Sequence, residues 1–227
     1  MGNHCEPTSA LRHRFLYANG SFANIDFPNA MQTEAFGVNN SGSIVGLYAD
    51  QLGTHGFLYQ GGSYTSLDYP GARATLAFGI NDNNQISGYY TDSQSVDHGF
   101  QYQAGNFTSF DYPGGSGTDA YRINGDAQIA GGYPNPSIAF LYAGGTFSLP
   151  PVDSAAFVNN NEQISGSLGS NNVFEHEGSY ITIAVPGASS TYFYSLNDFT
   201  LNPQNTARVA LVGDYNAGVH GFLATSQ

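Results

Sequence analysis

Lysine is absent from this chain of 227 residues, and five arginines face 17 acidic residues, giving a formal net charge of −12. A field of that sign repels phosphate backbones and anionic lipid, so no nucleic acid and no membrane surface is expected as a partner. Cys5 is the single cysteine, which rules out an internal disulfide and leaves the redox compartment unread. No apolar run approaches the roughly 20 residues that span a bilayer. Residues 1–11 contain no apolar stretch of the kind a signal peptide needs, and Glu6 stands where a myristoylation signal requires Ser or Thr. A helical apolar period is missing throughout. So are a P-loop, a dinucleotide fingerprint, a nucleophile elbow and an HExxH pair.

What the chain has is repetition. Residues 55–88 read HGFLYQGGSYTSLDYPGARATLAFGINDNNQISG, and residues 98–131 repeat their pattern. Residues 14–46 are an earlier copy, and the later copies are more worn. An aromatic opener recurs at Phe15, Phe57, Phe100, Phe140, Phe174 and Phe222. A turn asparagine recurs at Asn39, Asn81, Asn124, Asn159 and Asn197, and a closing glycine at Gly46, Gly88, Gly131, Gly166 and Gly213. A unit of about 40 residues cannot bury its own apolar face, so the copies are expected to stack into one domain.

Each copy reads as four short strands. In the second copy they fall at residues 56–60, 64–69, 76–81 and 85–91, rich in aromatics and isoleucine. Gly61-Gly62 and Asp82-Asn83-Asn84 are hairpin signals. Four-stranded antiparallel units repeated five times predict an all-β, five-bladed β-propeller. Residues 1–12 are expected to be a polar leader and residues 13–227 the propeller. The surplus opener predicts that strands from the two termini meet in one blade and close the ring, with residues 21–27 as its outer strand. The longer connections leave the sheets on one side, where binding loops belong. Copy four carries Leu149-Pro150-Pro151 where copy two has Leu67-Asp68-Tyr69. Copy five has an insertion at residues 199–208.

Candidate binding residues cluster at the start of the opener strand. His55, His98 and His220 each precede an opener by two residues, as His13 does, and Asp50 and Asp92 lie just upstream. Tyr48, Tyr90, Tyr133 and Tyr215 each follow a closing glycine by two; they are expected to pack between blades or to form a stacking platform for a ligand. The closing glycine is expected to leave room for an aromatic of the next blade. Asp214 joins Asp50 and Asp92 as a candidate loop carboxylate. Asp26, Asp68 and Asp111, each before an aromatic-proline pair, are expected to accept hydrogen bonds from backbone at a strand end. The histidines are expected to bond backbone at the strand start. A ring of them around a wide circle does not bring nitrogens to the ~2.0–2.1 Å that one ion requires, so no metal and no cofactor is expected.

The stretch GFLYQGGSYTSLDYPGARATLAFGINDNNQISGYYTD resembles the HAF-type extracellular repeat of bacterial secreted and surface proteins. The resemblance covers nearly the whole chain and is strongest over the first three copies. It implies an extracellular or cell-surface location and no particular activity, and it makes Asn81, Asp82, Gly88 and His98 look like scaffold markers. In size and blade count the chain is similar to small five-bladed lectins. Identical groups repeated around a ring suit multivalent binding, whereas catalysis needs unlike groups at one point. The expected function is therefore non-catalytic ligand binding, with carbohydrate or another small polar molecule as ligand. An enzyme with one asymmetric pocket and a protein-interaction scaffold are the alternatives.

Overall fold

The computed structural model describes residues 2–5, 12–18, 20–134, 137–168, 171–176, 179–182, 191–196, 200–201, 207–208, 210–215 and 220–225. Two compact units divide the chain, Met1–Ala120 and Tyr121–Gln227. All regular structure among the described residues is β.

The first unit opens with a three-stranded antiparallel sheet, β1 (Gly2–Cys5), β2 (Arg12–Ala18) and β3 (Ser21–Ile25). Part of the expected leader is thus a strand, and β3 pairs with the N-terminal opener strand β2. A four-stranded meander follows: β4 (Gln32–Val38), β5 (Ile44–Ala49), β6 (Thr54–Gln60) and β7 (Ser63–Leu67). It recurs as β8 (Ala74–Ile80), β9 (Ile86–Thr91), β10 (Asp97–Gln103) and β11 (Asn106–Phe110). One parallel bridge, Thr54 to Ala74, joins the two meanders.

A third sheet runs β12 (Asp119–Ile123), β13 (Ile129–Pro134), β14 (Ser137–Ala143), β15 (Thr146–Ser148). In the second unit a fourth sheet contains β16 (Ser154–Val158), β17 (Ile164–Leu168), β18 (Asn171–His176) and β19 (Ser179–Thr182). The last is β20 (Thr191–Leu196) against β23 (Ala210–Tyr215) and β24 (His220–Thr225). Within the insertion, β21 (Thr200–Leu201) pairs with β22 (Ala207–Arg208). Its remaining residues, the turn asparagine Asn197, and residues 169–170 of the fourth copy's loop lie outside the described residues.

The turns explain the meanders. Gly61 and Gly62 have φ of 58° and 85°, the paired positive values whose twist matches that of the flanking strands. At the other tight turn, the side chain of Asn81 replaces a backbone partner. Its Oδ1 accepts from the N–H groups of Asn83 and Gln85, at 3.0 Å each, and its Nδ2 donates to Gln85 Oε1 at 2.7 Å. Asn124 and Asn159 make the same bonds in their own turns. Asn39 also reaches the next sheet, donating to Asn81 O at 3.1 Å, and Asn124 does the same to Asn159 O at 2.9 Å.

Sheets pack face to face. Val45, Leu67, Ala77, Ile80, Ile86 and Phe100 form one core between the two meanders of the first unit. In the second unit Val158, Ile164 and Val173 of the fourth sheet pack with Ala130 and Ala139 of the third. Phe57, Phe100 and Phe140 are fully buried, each contributing about 2–3 kcal/mol of transfer free energy. The closing glycine makes this possible, though not through the neighbouring copy as expected. A Cβ on Gly88 would collide with the carbonyl oxygen of Leu76 and lie 2.8 Å from the Phe100 ring, and Phe100 is the opener paired with Gly88 in the same sheet.

Asn81→Ala removes the acceptor of two backbone donors at a site only 5% exposed. At ~1–3 kcal/mol for a stranded buried donor, the variant is expected to lose roughly 2–4 kcal/mol of stability, read by urea denaturation. A loss below about 0.5 kcal/mol would mean water replaces the side chain and the turn does not depend on it.

Candidate functional site

Two copies of one side-chain cluster stand at the start of β6 and of β10. His55 lies in β6 rather than in the preceding loop, cross-strand from Tyr48. Its Nδ1–H donates to Asp68 Oδ1 at 2.7 Å, and its buried Nε2 lies 3.3 Å from Asp50 Oδ1, an ion-pair contact without hydrogen-bond alignment. His98 repeats the arrangement, with Nδ1 2.7 Å from Asp111 Oδ1 and Nε2 3.4 Å from Asp92 Oδ2. Each imidazole is therefore clasped between two carboxylates, and this corrects the expectation that the histidines bond backbone.

Asp68 and Asp111 correct a second expectation. The backbone donors at their strand ends are taken by threonine hydroxyls: Tyr69 N–H bonds Thr75 Oγ1 at 3.0 Å and Tyr112 N–H bonds Thr118 Oγ1 at 2.9 Å. The carboxylates are left for the imidazoles and for solvent, with side-chain exposures of 52% and 59%. Asp68 Oδ2 also accepts from Ser66 Oγ at 2.6 Å, and Ser66 in turn accepts from the Tyr48 hydroxyl at 3.0 Å.

Asp50 and Asp92 shape the loop. Asp50 Oδ1 accepts from the N–H groups of Leu52 and Gly53, and Asp92 Oδ1 from those of Gln94 and Val96. These bonds, led by the Leu52 N–H at Asp50 and the Val96 N–H at Asp92, hold both carboxyls below the ordinary aspartate range. At His98, partial burial favours the neutral ring, but the hydrogen bond and charge of Asp111, with Asp92 behind them, more than offset it. The imidazole is held above its ordinary value of 6.5.

Tyr48 and Tyr90 are packed between other rings. Tyr48 stacks on Phe27 with ring centres 3.6 Å apart and planes 3° apart, and His55 lies against it at 4.9 Å and 21°. Tyr90 sits in the same way between Tyr69, at 3.6 Å, and His98, at 5.0 Å. Both faces of each ring are covered, so neither offers a free platform. Tyr133 is 8% exposed and stands cross-strand from Ile138, where the other sheets have histidine. Continuing the hairpin register past Ser148 brings Pro151 to the place of Asp68, so the third sheet lacks the cluster.

For Asp214, Tyr215 and His220 only the backbone is described. Tyr215 pairs with His220 as Tyr48 pairs with His55. Asp214 pairs with Gly221 inside a strand, the register of Leu47 and Tyr89, so it is not the counterpart of Asp50 and Asp92. Among the described residues, no group of three or more His, Cys, Asp and Glu side chains is placed to hold a metal ion. In the two clusters the carboxylates sit on opposite nitrogens of one ring and do not converge. No helix of the described residues is long and apolar enough to cross a membrane.

The chain matches no protein-family model and no curated protein sequence. Among solved structures it is similar to AofleA from Arthrobotrys oligospora, at 12% identity and a TM-score of 0.54, over 99% of this chain and 81% of that one. An arginine-to-alanine triple mutant of AofleA gives the same identity and TM-score, over 95% and 75%. A mutant of Aleuria aurantia lectin in complex with Fucα1-6GlcNAc aligns at 10% identity and a TM-score of 0.49, over 94% and 87%. The likeness to AofleA shows the fold alone, a β-propeller-like array of small antiparallel sheets.

The raised value at His98 has a sign. Its charged contacts stabilise the folded chain fully below pH ~6.5, the unfolded value, and that contribution is lost as pH rises through the higher folded value. Asp111→Asn is expected to bring the His98 NMR titration midpoint down and to flatten this part of the stability–pH profile. An unchanged midpoint would mean that Asp111 does not hold the proton.

Proposed function

We propose that this protein is a non-catalytic, lectin-like propeller that binds carbohydrate through polar clusters repeated on its loop face. The observation that carries the reading is the recurrence of one constellation, aspartate–histidine–aspartate with a serine beside it, in consecutive sheets. Exposed carboxylate oxygens at Asp68 and Asp111 accept hydrogen bonds, Ser66 Oγ donates to Asp68, and Ser109, two residues before Asp111, meets the Tyr90 hydroxyl as Ser66 meets that of Tyr48. Sugar hydroxyls answer both kinds of group. The same groups in the same order make equivalent sites and argue for avidity. A general acid and base, by contrast, must have environments that push their pKa values apart.

The two meanders and the three sheets that follow them form five blades of one domain, closed by strands from both ends of the chain. The repeat is of the HAF type, and the protein works outside the cell or at its surface. Tyr48, Tyr90, Tyr133 and Tyr215 hold the blades. Asp50, His55, Asp92, His98 and His220 organise the binding loops, and the ligand contacts Asp68 and Asp111. The fold shared with AofleA and the absence of a catalytic motif in the sequence support this view.

Calorimetry of the full chain against a panel of neutral glycans that includes Fucα1-6GlcNAc is expected to give at least two similar sites per chain. Asp68→Asn and Asp111→Asn should each remove one and leave the other. One dominant site whose ligand is consumed on incubation would replace this reading with an enzyme. Binding to no glycan in the panel would leave the protein-interaction scaffold.

A further inference from the structure

We propose that the outer hairpin of the second meander, β10–β11, carries a separate binding site for a neutral polyhydroxylated ligand, a pyranose ring in size and chemistry. The proposal rests on the carbohydrate reading for its ligand class, but on different residues. An open surface depression of about 360 Å³ is lined by half-buried Gln101 and by exposed Gln103, Ala104, Asn106 and Thr108.

The sister sheets differ at this place. Gln101 stands at the register of Leu58 in β6 and Leu141 in β14. Leu58 packs against the core of Val45, Leu67 and Phe100, and Leu141 against that of Ala130, Ile164 and Val173. The repeat therefore calls for an apolar side chain at this position, and the second meander supplies an amide. A glutamine in place of a core-facing leucine forfeits burial energy, and departures of that kind concentrate at functional positions.

The exchanged residue completes a polar patch. Gln101 is cross-strand from Thr108, and Gln103 from Asn106, so the four polar side chains form two adjacent pairs on one face of the hairpin. Gln103 and Thr108 are matched in the first meander by Gln60 and Thr65, whereas Asn106 stands where the other hairpins have Ser63 and Thr146. The turn departs as well. Ala104 holds φ of 49° where the other two hairpins have Gly61 and Gly144, a conformation that costs an L residue more than glycine.

The lining is three amides and a hydroxyl with no ionisable group. Each amide presents a donor and an acceptor side by side, and the threonine hydroxyl presents both. Such a set fits vicinal hydroxyls, which also donate and accept. It offers nothing to neutralise a phosphate or a carboxylate.

The test uses the full-length protein, labelled with ¹⁵N in the glutamine and asparagine side chains. It is titrated with the methyl glycosides of glucose, galactose, mannose, N-acetylglucosamine, fucose and xylose. At least one glycoside is expected to shift the amides of Gln101, Gln103 and Asn106 saturably. Gln101→Leu and Asn106→Ser install the residues of the first meander, so they are expected to fold with melting temperatures no lower than wild type. Each is expected to weaken that binding by at least about tenfold. The proposal is overturned if no glycoside moves these amides, or if Gln101→Leu binds as wild type does.

The Asp68→Asn and Asp111→Asn variants keep the two readings apart. Glycan binding lost in those variants but retained in Gln101→Leu sinks this site and leaves the loop clusters standing. The opposite pattern sinks the clusters and leaves this site.

Discussion

At Asn81, Asn124 and Asn159 a single buried amide does what a longer loop would otherwise have to do. The turn asparagine satisfies two backbone donors with its oxygen, and its nitrogen reaches the neighbouring glutamine. At Asn39 and Asn124 that nitrogen also reaches the backbone of the following sheet. The first strands of neighbouring repeats, β4 with β8 and β12 with β16, are thereby set at fixed offsets before any side-chain core is counted. Their shared register shifts, at Ala35/Gly37, Ala77/Gly79 and Ala155/Phe157, then fall at the same height in each sheet. The stacked rings of Phe36 and Phe78, 4.6 Å apart, follow from that common height.

The histidine clusters depend on the same order at the other end of the strands. A tyrosine on the second strand of each meander is sandwiched between a preceding aromatic and the histidine of its own sheet. That stack fixes the plane of the imidazole, and a fixed plane puts its two nitrogens opposite two carboxylates. Chemistry at the surface is thus positioned by packing beneath it. The third sheet, with isoleucine and proline at the corresponding places, keeps the buried tyrosine and loses the polar cluster.

Much of this was legible in the chain itself. Recurrence of asparagine, glycine and phenylalanine predicted the strands to within a residue or two, because those residues have one structural job each. The clasp of His55 by Asp68 was also within reach. A two-residue turn at Gly61-Gly62 fixes the hairpin register, and the register that pairs Gly56 with Leu67 brings the residue before one beside the residue after the other. That pairing was hidden by proline following Asp68 and its aromatic neighbour, a context that suggests a backbone cap. Asp214 failed for a related reason: its distance from the histidine looked loop-like, and only the strand register showed it inside the sheet. The sandwiching of the tyrosines was not legible at all, because a period reports which face a ring is on and not what covers it.

The locked asparagine at Asn124 has a chemical consequence. It is followed by Gly125, the pairing in which an asparagine side chain is most readily attacked by the next backbone nitrogen and deamidated. Here its oxygen is held by Asp126 N–H and Gln128 N–H and its nitrogen by Gln128 and Asn159, so the carbonyl carbon cannot swing toward the Gly125 nitrogen. Ageing of this residue is accordingly gated by opening of the turn. The folded chain carries its own protection against the slow loss of the amide on which its architecture rests.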